Sequence, residues 1–193
     1  MWIALSIVVV AVVLILAGCQ VTRAGYESAP YKVVRSDGKF ELRDYPALTV
    51  VETPMTRPNG SDGSFMRLFR FITGANDAKQ KIAMTTPVFM SGNSTNLTMA
   101  FVLPANLQTA SAPKPADGAV TVRELPAGRF AVMLFSGGQD AKREAESLAR
   151  LRAWLERERL ISLSEPVYGY FDPPWTPSFL RRNEVMLRTT PSE

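Results

Sequence analysis

One short string recurs at a fixed spacing. Arg43-Asp44-Tyr45-Pro46-Ala47 returns eighty residues later as Arg123-Glu124-Leu125-Pro126-Ala127. A β-type run follows each copy, Leu48-Thr49-Val50-Val51 in one case and Phe130-Ala131-Val132-Met133-Leu134 in the other. Further on, Pro87-Val88-Phe89 answers to Pro166-Val167-Tyr168 at nearly the same offset. Several matches in order at one spacing indicate a duplication. Two copies are too few to stack as a solenoid, so the expected product is one pseudo-symmetric domain.

Each copy reads as two strands, a helix and two more strands. In the first, β-branched and aromatic residues fill Tyr31–Arg35 and the run from Phe40 to Glu52, separated by the turn Ser36-Asp37-Gly38. The polar loop Pro58-Asn59-Gly60-Ser61-Asp62-Gly63 precedes a helix that Asp62 or Ser64 can cap. Phe65, Leu68, Phe69 and Ile72 recur at i, i+3, i+4 and i+7 and give its expected inward face, and Gly74 ends it. Strands are expected around Ile82–Met90 and Leu97–Leu103, and Pro104 to Gly118 reads as the linker between halves. In the second copy, Val120–Leu125 and Arg129–Ser136 are strands. The longest helix runs from Gln139 to Leu160, with Ala141, Ala145, Leu148, Leu151 and Leu155 inward. Strands near Pro166–Phe171 and Glu184–Arg188 close an α+β plan, a barrel-like sheet flanked by two helices.

The first residues read as an address. Trp2 to Ala17 is apolar apart from Ser6 and runs into Leu16-Ala17-Gly18-Cys19. A bilayer span needs about 20 apolar residues, so this run better suits the hydrophobic region of a secretory signal. Leu-Ala-Gly-Cys resembles the bacterial lipobox, whose cysteine is lipidated and becomes the new N-terminus. Cys19 is the sole cysteine of the chain. No Lys or Arg precedes the apolar run, and an uncleaved transmembrane anchor is the alternative. Residues 1–18 are thus expected to be a lipoprotein-type signal peptide, 19–30 a tether and 31–193 the folded domain. The domain is expected in the cell envelope, lipid-anchored and facing the periplasm or exterior.

Histidine is absent, which excludes Ser-His-Asp and Cys-His catalysis, His-liganded zinc and His-ligated haem. A single cysteine excludes an internal disulfide. The net charge is +4, but acids and bases alternate, as in Lys142, Arg143, Glu144 and Glu146. That is the pattern of a solvated surface, whereas a nucleic-acid footprint needs clustered base. With no nucleophile–base pair in view, the chain reads as a binding protein, not an enzyme.

Three segments resemble the SOUL family of haem-binding proteins. The first is Phe71-Ile72-Thr73-Gly74-Ala75-Asn76-Asp77 followed by Lys81-Ile82-Ala83-Met84-Thr85-Thr86-Pro87-Val88. The second is Gly169-Tyr170-Phe171-Asp172-Pro173-Pro174-Trp175-Thr176-Pro177, and the third is Arg181-Arg182-Asn183-Glu184-Val185. The resemblance covers roughly Tyr31 to Thr189. It implies a distorted antiparallel β-barrel of two pseudo-repeats, on a fold shared with gyrase-inhibitor-like effector-binding domains. It also implies that haem or another tetrapyrrole is the ligand, bound along the first helix.

Haem is a flat apolar disc with two carboxylates, which aromatic and Met side chains can face and Arg can pair. The first helix offers Phe65, Met66 and Phe69 beside Arg67 and Arg70, although the same spacing also suits a packed core. Without histidine, iron is open only to Met, Tyr or Cys19, or is left without a protein ligand, and Met66 is the candidate on the helix. Trp175 either lines the pocket mouth or caps the barrel. In the closing strand, Val185 and Leu187 face one way and Glu184, Met186 and Arg188 the other. An interior Glu184 needs a partner: an ion pair with Arg43, Arg181 or Arg182, or a cationic ligand such as the effector-binding relatives suggest. The expected functions are therefore a tetrapyrrole carrier, a pocket for another small hydrophobic molecule, or a protein-interaction module at the membrane.

Overall fold

The computed structural model describes residues 25–58, 61–93 and 96–190. The expected signal and Cys19 lie outside the described residues. In the first copy, strands β2 (Lys32–Asp37), β3 (Phe40–Tyr45) and β4 (Leu48–Met55) lead into helix α1 (Ser64–Ile72). Strands β6 (Val88–Ser91) and β7 (Leu97–Val102) follow. The second copy runs β8 (Thr121–Leu125), β9 (Gly128–Phe135), α2 (Ala141–Arg157), β10 (Val167–Tyr170) and β11 (Asn183–Arg188). These nine strands form one antiparallel sheet in the order β2-β3-β9-β11-β10-β6-β7-β4-β8.

The duplication is visible in this order. With β2 set aside, the sheet reads the same from either end once β3 is exchanged with β8, β4 with β9, β6 with β10 and β7 with β11. Register agrees with topology. Arg43 lies opposite Phe130 and Tyr45 opposite Gly128, while Arg123 lies opposite Val50 and Leu125 opposite Leu48, the same pairs shifted by eighty residues. The pseudo-two-fold passes between β6 and β10, where Val88 faces Tyr170 and Ser91 faces Val167.

The sheet differs from the expected barrel in one respect. It is open, because β2 and β8 end the order without pairing to each other. Every residue of β2 is exposed, and its Lys32, Arg35 and Asp37 are the kind of charges that keep a free edge from recruiting another strand. The expected strand Ile82–Met90 is also divided, into β5 (Thr85–Thr86) and β6, at Pro87, which has no N–H to give a ladder. Within the stretch expected as a tether, β1 (Glu27–Ser28) pairs in parallel with β5 and Ala29 is buried.

Both helices lie on one face of the sheet. Helix α1 packs Leu68, Phe71 and Ile72 on Val51, Met99 and Phe101. Helix α2 packs Leu151, Trp154 and Leu155 on Leu42, Met133, Val185 and Leu187. The opposite face carries a third cluster with Tyr45, Val50, Phe89, Val132 and Met186. Neither helix presents quite the face its apolar spacing predicts. Phe71 draws α1 round so that Phe65 and Phe69 are each 38% exposed. At about 100° per residue, Phe69 stands a quarter-turn or more from Leu68. In α2, Trp154 and Ser147 are buried while Ala141 and Ala145 are exposed. Ala145 lies about 120° from Leu151, outside the stripe that Trp154 completes.

Candidate functional site

The two helices cover the outer strands and leave the central pair, β6 and β10, as the floor of a groove between them. Val88 and Tyr170 line that floor. On one side α1 presents Phe65 and Phe69, whose rings stack at 6.0 Å, with Phe65 edge-on to Phe101 at 5.2 Å.

The loop before α1 is tied to its first turn. Asp62 accepts from the Ser64 N–H at 3.0 Å and from the Thr56 N–H and hydroxyl. Burial alone would raise the Asp62 carboxyl, but these donors outweigh it and hold the group well below the ordinary carboxylate range. Arg67 clamps the helix to β4, donating from Nε to Thr53 Oγ1 at 3.0 Å and from Nη2 to the Pro54 carbonyl at 2.7 Å. At the far end Gly74, at φ +118°, takes a conformation few side chains permit, and the Ala75 N–H returns to the Arg70 carbonyl at 2.9 Å. Buried Asn76 secures the turn by donating to the carbonyls of Phe71 and Gln80.

The other wall is the loop after β10. Asp172 accepts from the Arg182 N–H at 2.6 Å. Arg181 donates from Nε to the Thr176 carbonyl at 2.8 Å and from Nη2 to the Pro174 carbonyl. Between those two anchored carbonyls stands Trp175, 73% exposed. Tyr170 reaches towards α2 and donates to Glu144 Oε1 at 2.5 Å. Burial lifts the Glu144 carboxyl above its ordinary value, against the opposing pull of that bond. Burial and the same bond both raise the Tyr170 phenol.

These walls enclose a cleft of about 360 Å³, with Tyr26, Phe65, Phe69, Met84, Tyr170 and Trp175 among its lining. That size is within the usual range for a small-molecule site, and aromatic walls suit a flat ring. A second cavity of about 270 Å³ continues it, sharing Phe65, Val88, Tyr170, Asp172 and Pro174 and adding the polar ends of Gln139, Arg181 and Asn183. Two other hollows suit a macrocycle less well. One on the opposite face of the sheet holds only about 110 Å³. Another, of about 750 Å³, runs beside the loop from Leu103 to Ala110 and has no aromatic lining.

Of the residues singled out from sequence, Phe65, Phe69 and Trp175 meet at one cleft. Met66 is exposed on α1 outside it, and the thioether that lines the cleft is Met84. Arg67 and Arg70 line a separate depression with Phe71 and Asp117, and Arg67 is already engaged with β4. The cation at the polar end is Arg181. Met84 and Arg181 both belong to the motif segments, which was the available signal. Their place in the groove depends on which strands lie at the centre of the sheet.

Glu184 lines none of these clefts. It is fully buried, and Arg43 grips it through Nη1–Oε2 at 2.7 Å and Nη2–Oε1 at 3.0 Å. Arg182 adds Nε–Oε1 at 2.9 Å. Arg43 also donates to Glu41 Oε2 at 2.7 Å and stacks over the Tyr31 ring. Burial opposes the Arg43 charge, but Glu184 outweighs it and raises the guanidinium pKa above its ordinary value. The carboxylate is thus satisfied from within, as a structural ion pair.

Known proteins agree with this architecture. The human protein named heme-binding protein 2 is 27% identical over 172 residues, spanning 82% of each chain. In three dimensions the chain is similar to the C-terminal domain of EcmrR, with a TM-score of 0.59 at 15% identity over 83% of this chain and 98% of that one. A hydrolase from Listeria innocua gives 0.60 at 10% identity over 81% and 94%. At those identities the two structural likenesses speak for the fold alone. The family model described as SOUL heme-binding protein matches residues 26–188. Because that span takes in every strand and both helices of the described residues, and all three motif segments, the chain belongs to the SOUL heme-binding protein family.

Proposed function

We propose that the cleft between α1 and the loop after β10 binds haem or a related tetrapyrrole, and that the protein acts as a membrane-tethered binding protein and not as an enzyme. One observation carries this: in a chain of a heme-binding family, Phe65, Phe69, Tyr170 and Trp175 converge on one apolar cleft of ligand size. The porphyrin faces would lie against those rings, with the carboxylates towards Arg181 and Gln139. Bound haem would bring a metal centre, and Met84 is the thioether within the cleft. Bis-imidazole ligation is closed to a chain without histidine, so affinity rests on burying the ring at about 25 cal/mol per Å² and on its carboxylate contacts.

Titration with hemin and with metal-free protoporphyrin tests this reading. Both should bind with similar affinity, and Phe69→Ala and Trp175→Ala should each weaken binding by about tenfold, or roughly 1.4 kcal/mol. Wild-type affinity in both variants would overturn it. The tether rests on the lipobox-like Leu16-Ala17-Gly18-Cys19. Intact mass of the membrane fraction should show residues 1–18 removed and acyl groups on Cys19, both lost in Cys19→Ser. A mature protein that keeps an unmodified Met1 would contradict lipidation.

A further inference from the structure

The exposed aromatic side chains of the described residues are gathered in two segments. Phe65 and Phe69 stand on α1, while Trp175 and Phe179, 73% and 71% exposed, stand on the loop across the groove and the turn that follows it. Met66 adds an exposed thioether to α1. Large apolar groups clustered in water mark a contact surface. The outward aromatics are also held in place. Arg181 fixes the carbonyls on either side of Trp175, and the Leu180 N–H bonds the Pro177 carbonyl beneath Phe179. Helix α1 carries two arginines and no acid.

The chain enters the described fold at the same place. Tyr26 lines the cleft with Phe65, Phe69 and Trp175, and it follows Cys19 by seven residues. A fully extended chain covers about 3.5 Å per residue, so a lipid on Cys19 would hold the cleft mouth within about 25 Å of the bilayer. Trp and Phe partition to the headgroup boundary, and exposed Arg70 on α1 suits anionic headgroups.

We propose that this aromatic rim docks on an anionic phospholipid bilayer, so that the cleft opens onto the membrane and takes its ligand from it. The proposal rests on the tether and on the cleft as ligand site.

The test uses the processed, lipid-bearing protein, Cys19 to Glu193, in phosphatidylcholine–phosphatidylglycerol vesicles. Processing at Cys19 removes Trp2 and leaves two tryptophans, Trp175 and the buried Trp154, which serves as internal reference. Brominated lipids should quench the Trp175 emission about twofold or more, and the membrane should shield it from aqueous iodide. Trp175→Phe should abolish the quenching. Phe179→Ser, outside the cleft lining, should reduce it while leaving hemin affinity in detergent unchanged. Protein that sediments with vesicles while Trp175 stays open to iodide and unquenched by brominated lipid would overturn docking and leave the tether standing. Protein that does not sediment would overturn both. Hemin titration in detergent reports on the cleft independently of either result.

Discussion

Arg43 and Glu184 are 141 residues apart in sequence and meet with neither side chain exposed. Removing one member of such a pair strands the other charge away from water. Glu184→Ala should therefore destabilise the fold by about 3–5 kcal/mol in chemical denaturation, and a loss below about 1 kcal/mol would show the pair to be dispensable. The alternation of the closing strand was enough to turn Glu184 inward and to name Arg43 among its partners. That β9 runs between β3 and β11, bringing Arg43 to a carboxylate that Arg182 reaches from two residues away, was not legible there. Glu144 gives a prediction of a different kind. Its carboxyl is raised in the folded state, so the fold binds that proton more tightly than the unfolded chain does. The associated stability is complete below the ordinary glutamate value and is lost as pH rises through the raised one. Glu144→Gln should flatten the dependence of the denaturation midpoint on pH across that window. An unchanged slope would argue against burial as the cause.

The two helices show how a misjudged stripe alters a functional reading. Apolar spacing located both of them, but the aromatic anchors Phe71 and Trp154, left out of the expected stripes, decide their rotation. With Phe71 left out of the inward set, Phe65 and Phe69 stood both on the expected inward face and among the ligand candidates; their partial exposure is what gives the groove its aromatic wall. In α2 the alanines fitted a loosely drawn stripe, whereas Trp154 stacks on Phe40 and donates to Asp37 at 2.9 Å. Leu151→Ala should accordingly cost about 2–5 kcal/mol, while Ala145→Ser should stay within about 0.5 kcal/mol. Equal losses would restore the face that the alanines suggest. The Arg67 clamp was invisible for a related reason. An arginine beside aromatics on a helix looks available to a ligand until β4 is known to lie within its reach.

At the scale of the molecule, a five-residue echo at a spacing of eighty carried most of the architecture. The shared offset fixed which strands correspond, and the mirrored sheet order follows from placing β6 against β10. Local patterns could not say whether the outer strands meet, because closure depends on accumulated twist and on the charged edge of β2. Nor could they place Glu27–Ser28 against β5, since two residues carry no period. The candidate site itself arises from the symmetry. Each copy puts its helix over its outer strands, and the central pair is left as the floor of a groove. Determining the structure of the protein with hemin bound tests this most directly. The ring should lie between α1 and the loop after β10, against Phe65 and Phe69 and beneath Trp175, with its carboxylates towards Arg181. A ring on the opposite face of the sheet, among Tyr45, Phe130 and Met186, would contradict the account.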